Sequence, residues 1–172
     1  GPNIIGQGII TKALAKARDD DKVKAIVLRV DSPGGSALTS DIIWREVELA
    51  KEKKPLVVSM GNFAASGGYY IAAGADMIYA EPTTITGSIG VFGTIPNINE
   101  LAANIGINAE QVGTNKNSVD YSFFEPMTDN FRNVVQEGIE QAYETFLERV
   151  AQGRNITVAQ ADSMAQGRVW SG

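Results

Sequence analysis

The run "KAIVLRV" (24–30) is continuous, apolar and β-branched, the pattern of a strand buried in a parallel sheet. Its neighbours constrain the fold further. "GIITKALAKARDD" (8–20) precedes it with Ile9, Ala13, Leu14 and Ala17 at helical spacing. "SDIIWREVELAKEK" (40–53) follows, with Ser40 or Thr39 as N-cap and Ile43, Val47 and Ala50 on one side. Lysines crowd its last turn and Pro55 ends it. "PLVVSM" (55–60) reads as a second buried strand, "YYIAAGA" as a helix starting near Ser66, and "MIYAEP" (77–82) as a third strand. Helix and strand thus alternate three times. This order implies an α/β layered domain, a mostly parallel sheet with crossover helices.

The second half is less regular. "TTITGSIGVFG" (83–93), rich in Thr and Gly, is expected along the sheet edge. A strand is expected at 110–114, followed by an irregular loop to 127. Residues 129–154 form the clearest element, a long helix. Phe131, Val134, Val135, Ile139, Tyr143, Phe146, Leu147 and Val150 make one stripe, and Asp129 or Thr128 caps the start. A short helix (157–167) with Thr157 as N-cap follows. With no internal repeat or linker, residues 1–172 read as a single domain.

Composition narrows the chemistry. The chain is 44% hydrophobic and 20% charged, as in soluble globular domains. A net charge of −5 without a basic stripe argues against a nucleic-acid partner. No apolar run suits a transmembrane helix, and no signal peptide is present. There is no cysteine, hence no disulfide, thiol catalysis or cysteine zinc site. There is no histidine either, which rules out a Ser-His-Asp triad within this chain and most catalytic zinc sites. No metal and no cofactor are expected.

Ligands of parallel sheets sit at the carboxyl ends of the strands. Two motifs fall there: "DSPGG" after the first strand and "GNFAASGG" after the second. Gly34 and Gly35 let backbone N–H groups turn outward, as an oxyanion hole requires. Ser66, between small residues at a helix start, is a candidate nucleophile or a helix cap. "AASGG" departs from the G-x-S-x-G elbow, because Ala64 replaces the first glycine. Without histidine, a neutral lysine is the base a serine can use. Lys12, Lys16, Lys51, Lys53 and Lys54 lie in solvated helical patterns. Lys116, in "VGTNKNSVD", does not; it is a candidate base or a solvated loop lysine.

"KAIVLRVDSPGGS", "MGNFAASGGYYIAAGAD" and "TGSIGVFG", in this order, resemble signal peptide peptidase A, the S49 family of serine peptidases. "AQGRVWSG" resembles a segment near the end of that catalytic domain, so the likeness covers essentially the whole chain. The resemblance implies a ClpP/crotonase-like fold assembled into rings or domes, and a Ser/Lys dyad that degrades remnant signal peptides at the bacterial membrane, on its extracytoplasmic side. It implies that Ser66 is the nucleophile and that the Gly34–Gly35 loop forms the oxyanion hole, with Gly67 as a second contributor. It matches Ser88 to a serine that hydrogen-bonds the catalytic lysine; by residue pattern alone Ser88 is a turn residue between glycines. Lys116 fits the lysine of short members, in which neighbouring subunits share one dyad. In long members the lysine comes from an N-terminal repeat. The chain's ends fit an excised C-terminal repeat of a long member, in which Lys116 would be a vestige. Asn62 stands where many members have Asp.

The implied partners are further copies of the chain and apolar peptides, the latter held by backbone pairing to an exposed strand edge with pockets near Ile89, Val91, Phe92 and Ile95; in the other reading "SIGVFG" packs in the core or at a subunit contact. Phe123 and Phe124 suit a subunit contact or the core. Two other readings stand beside this one: a crotonase-like acyl-CoA enzyme, which needs no Ser66, and an inactive scaffold repeat. ClpP itself uses a histidine, which this chain lacks.

Overall fold

The structure is a computed structural model and describes residues 6–115, 118 and 121–172. The elements run α1 (Gln7–Asp19), β1 (Ile26–Ser32), α2 (Ala37–Lys51), β2 (Leu56–Ala65), α3 (Gly67–Ala73), β3 (Met77–Tyr79), β4 (Ile85–Gly87), α4 (Asn99–Asn104), α5 (Asp129–Arg154), α6 (Val158–Met164) and β5 (Val169–Ser171). Contacts divide the chain into two compact units. One comprises Gly1–Val91 with Ala142–Gly172, the other Phe92–Gln141.

The first unit contains the sheet, in the order β1-β2-β4-β5, with β3 beside the start of β2. β1 pairs in parallel with β2, Ile26 opposite Leu56. β2 then pairs in parallel with β3 at Val57–Ser59 and with β4 at Phe63–Ala65. β5 closes antiparallel on β4, with Thr86 opposite Trp170. β4 is therefore flanked by strands on both sides, and the expectation of a sheet edge at 83–93 is corrected. The cause lies far along the sequence, in the return of "RVWS" near the end of the chain.

Apolar periodicity explains the core. Ile26, Val30, Val58 and Met60 project from one sheet face into a cluster with Leu14, Ile43, Val47 and Ile71 from α1, α2 and α3. Phe146, Leu147 and Val150 of α5 join Trp44, Tyr70 and Ile89 in a second cluster. Burying one such side chain contributes about 1.5–3 kcal/mol. The other sheet face is open: Val27 is 68% exposed and Met77 53%. The continuous apolar run of β1 is thus covered on one face only, not on both as its sequence predicts.

Local signals set the helix ends. α2 begins at Ala37 because the Ser36 hydroxyl accepts the Thr39 N–H at 3.3 Å. Thr39 and Ser40, the expected caps, lie inside the first turn. Thr157 caps α6 in a capping box with Gln160. Thr128 accepts the Phe131 N–H at the start of α5. Gly153 lets α5 cross α3 so closely that a methyl there would overlap the Ala73 carbonyl.

In the second unit, Tyr121 stacks on Phe131 with ring centroids 5.7 Å apart and meets Phe123 at 5.5 Å. Phe123 is exposed and Phe124 half-buried. No strand forms at 110–114; the backbone is irregular there and Val112 is exposed. Alternating side chains make a strand only where a partner supplies a ladder.

Candidate active site

β2 ends at Ala65 and α3 begins at Gly67, so the chain turns from strand to helix at Ser66. The turn is sharp. Ser66 has φ 51° and ψ −121°, in a region that costs a non-glycine residue about 1–3 kcal/mol. The side chain makes no capping bond to α3 and is partly exposed. The geometry is that of a nucleophile elbow, formed although Ala64 replaces the usual glycine.

Several contacts hold the elbow. The Ser66 N–H donates to the Gly87 carbonyl at 2.9 Å, and the Tyr70 N–H donates to the Ser66 carbonyl at 2.9 Å. Gly34 lies directly against the turn. A Cβ at Gly34 would sit 2.7 Å from Ser66 Cβ and 2.9 Å from the Gly67 nitrogen. Gly34 also has φ +115°, so glycine is needed there on two grounds.

The same approach brings two amides together. A Cβ at Gly67 would be 3.2 Å from the Gly35 nitrogen. The Gly34 N–H itself donates to Ser32 Oγ at 3.2 Å. Gly67 is the first residue of α3, where backbone N–H groups have no partner inside the helix. A cavity of about 310 Å³ opens here, lined by residues that include Pro33, Gly35, Ser36, Thr39 and Gly67. N–H groups that turn outward at such a place would favour an anionic oxygen.

Ser88 lies one residue beyond the pairing of Ala65 with Gly87, and Ser66 one residue beyond the same pair. The two serines therefore leave neighbouring parallel strands at the same level. Both have positive φ; that of Ser88 is 49°. The Ser88 N–H donates to the Arg168 carbonyl at 2.6 Å. Lys116 lies outside the described residues. Among the described residues, no cluster of acidic side chains could hold a metal ion.

Behind the elbow, α3 is fixed by a polar link. Tyr70 OH donates to Asp41 Oδ1 at 2.7 Å, and Arg149 Nε reaches the same oxygen at 3.4 Å. The Arg149 guanidinium also lies 4.1 Å from the centre of the Trp44 ring. Burial, then the bond to Asp41, raises the Tyr70 phenol above its ordinary value. Sequence reading missed the roles of Ser32, Ser40 and Trp170. No motif names their partners: Ser32 Oγ accepts the Gly34 N–H and Ser40 Oγ donates to the Ser36 carbonyl, both bonds set by the conformation of the loop, and Trp170 reaches Gly87 only through the return of β5.

The fold and the elbow define the class: an α/β domain of the ClpP/crotonase type, with a serine at the strand-to-helix turn. The structure matches that of a ClpP1 mutant from Listeria monocytogenes with a TM-score of 0.53, over 95% of this chain and 73% of that one. At 12% identity this likeness concerns the fold alone. The family follows from the sequence: the pattern of "Peptidase family S49" matches residues 48–172, and the chain belongs to that family. It is 46% identical to "Protease 4" of Haemophilus influenzae over 97% of this chain and 27% of that protein. It is 39% identical to "Serine protease SPPA, chloroplastic" of Arabidopsis thaliana, over 100% of this chain and 25% of that one. "Putative signal peptide peptidase SppA" of Enterococcus faecium is 37% identical, over 96% and 48%. The chain thus spans about a quarter of the first two relatives and about half of the third.

Proposed function

We propose that this domain hydrolyses peptide bonds with Ser66 as nucleophile. The observation that carries the reading is the strained turn at Ser66 beside the Gly35 and Gly67 amides. Ser66 Oγ attacks the scissile carbonyl carbon, and its proton passes to a neutral lysine amine. The carbonyl oxygen becomes an anion facing the Gly35 and Gly67 N–H groups, with Gly34 shaping the loop that presents them. The C–N bond then breaks, the lysine returns its proton to the leaving amine, and water releases the acyl group by the same route. Ser88, level with Ser66, orients the lysine amine and shuttles its proton.

Lys116 is the lysine this chain offers. It serves its own Ser66, or that of a neighbouring copy, unless an N-terminal repeat supplies the amine. Substrates are apolar peptides such as remnant signal peptides, bound in extended form. The parent protein works as a homo-oligomer at the extracytoplasmic side of a bacterial membrane. No described helix is long and apolar enough to cross a membrane.

The experiment is turnover of a fluorogenic apolar peptide by the wild-type chain, Lys116→Ala and Ser66→Ala. Activity lost in both variants gives a complete Ser66/Lys116 dyad. Activity in Lys116→Ala equal to wild type moves the base elsewhere. Wild-type turnover that survives Ser66→Ala overturns the reading.

A further inference from the structure

We infer that two buried serines outside the dyad, Ser32 and Ser40, are positioning residues that set the oxyanion cradle. This rests on the peptidase reading above. Ser32 is 8% exposed and Ser40 5%. A hydroxyl at that depth needs a partner, and each finds one in the loop between β1 and α2.

Ser32 acts at the start of the loop. Its Oγ accepts the Gly34 N–H at 3.2 Å. That bond fixes one peptide of a diglycine segment which otherwise rotates freely. With the Gly34 N–H turned in to Ser32, the next amide, Gly35, is the one left beside Gly67. The Ser32 carbonyl also buttresses the far side, since a Cβ at Gly68 would lie 2.5 Å from it. Ser32 therefore touches both sides of the cradle: the loop through its hydroxyl, and α3 through its backbone.

Ser40 acts at the end of the loop. Its Oγ donates to the Ser36 carbonyl at 3.0 Å, and its own N–H reaches the same oxygen at 3.0 Å. A Cβ at Gly67 would sit 2.5 Å from Ser40 Oγ. The hydroxyl is thus wedged between the last residue of the loop and the first residue of α3. It sets how closely the two amides approach.

Such residues act on the transition state, because only then does the carbonyl oxygen carry the charge that the amides meet. The test is steady-state kinetics on the full chain, with kcat normalised to the fraction of Ser66 titrated by a fluorophosphonate. Ser32→Ala is expected to lower kcat by roughly 10–100-fold with KM within about twofold, and to weaken a peptide aldehyde inhibitor in parallel. Ser32→Thr, which keeps the oxygen, recovers most of the rate. Ser40→Ala gives a smaller loss, because its backbone N–H still holds the Ser36 carbonyl. A merely structural role would lower the titrated fraction and the melting temperature and leave kcat per site unchanged. Normalised kcat and aldehyde affinity near wild type in both variants, with turnover still dependent on Ser66, overturn the inference alone. Wild-type turnover independent of Ser66 removes the peptidase reading, and this inference with it.

Discussion

The Ser66 N–H donates to the Gly87 carbonyl at 2.9 Å, so the proposed nucleophile is tied to the last residue of β4. Gly87 has no spare room. It has φ +71°, and a Cβ there would sit 2.5 Å from Trp170 Cδ1 and 3.0 Å from the Arg168 carbonyl. β5 thus presses on β4, and β4 holds the elbow.

Gly87→Ala is therefore expected to cost at least about 2 kcal/mol of stability, from overpacking and left-handed strain together. It also displaces the carbonyl that receives the Ser66 N–H, so fluorophosphonate labelling of Ser66 should slow. Paired denaturant melts and labelling rates check this. A variant with wild-type values for both contradicts the coupling of β5 to the elbow.

Strain at Ser66 gives a second expectation. Glycine tolerates φ 51° without the Cβ penalty, and alanine does not. Both Ser66→Gly and Ser66→Ala should be inactive, with the glycine variant melting higher by a difference worth about 1 kcal/mol. Calorimetry of the two inactive variants measures it, and an alanine variant of equal or greater stability means the elbow is unstrained.

The Tyr70–Asp41 bond ties α3 to α2. Tyr70→Phe should destabilise by about 1–3 kcal/mol, because it removes a donor to a carboxylate while leaving Arg149 in place. The phenol's raised value also predicts a pH dependence. Its contribution is fully present below the ordinary tyrosine value of about 10 and is lost as pH climbs above it. Unfolding melts from pH 8 to 11 should show wild type losing more stability than Tyr70→Phe.

At the acid end, hydrogen bonds from Arg18 and then Lys53 hold the Asp19 carboxyl down at about 2. A depressed carboxylate stabilises above its ordinary value and loses that contribution as pH falls. The window runs from 3.8 down to about 2. Asp19→Asn should flatten the melting curve across that window. The effect should shrink in high salt, because the group is exposed.

Two glycines of α5 should answer alanine in opposite ways. At Gly138 nothing lies within 4 Å of an added Cβ, so alanine should stabilise by up to about 1 kcal/mol through helix propensity. Gly153 faces the Ala73 carbonyl, so alanine there should force α5 off α3 and destabilise strongly. Melting temperatures that move in the same direction for both would remove the close crossing.

Local chemistry accounts for what was readable. The stripe on residues 129–154, the cap at Thr157 and the turn chemistry of "DSPGG" are each set by residues close to one another in the chain. They appear at the places expected, except that Val134 of the stripe is exposed and the stripe is fully buried only from Phe146 on. The caps of α2 were misplaced because Ser36, Thr39 and Ser40 all have capping chemistry, and burial of Ser40 decides among them. The order of motifs at the strand ends pointed to Ser66 and the Gly34–Gly35 loop. Ser88 was legible only through family resemblance, since a serine between glycines also suits an ordinary turn.

By itself the sequence determined the alternation of helix and strand, the apolar faces that must be covered, and the absence of a histidine base. The tertiary structure decided that β4 is flanked by strands, that one face of β1 stays open, and that Gly34, Gly67 and Gly87 have no room for a side chain. It also decided the backbone at Ser66. Strain of that kind persists only where distant contacts over-determine it. Here they come from Gly34 and Gly87, far along the chain, and no local preference records such an approach.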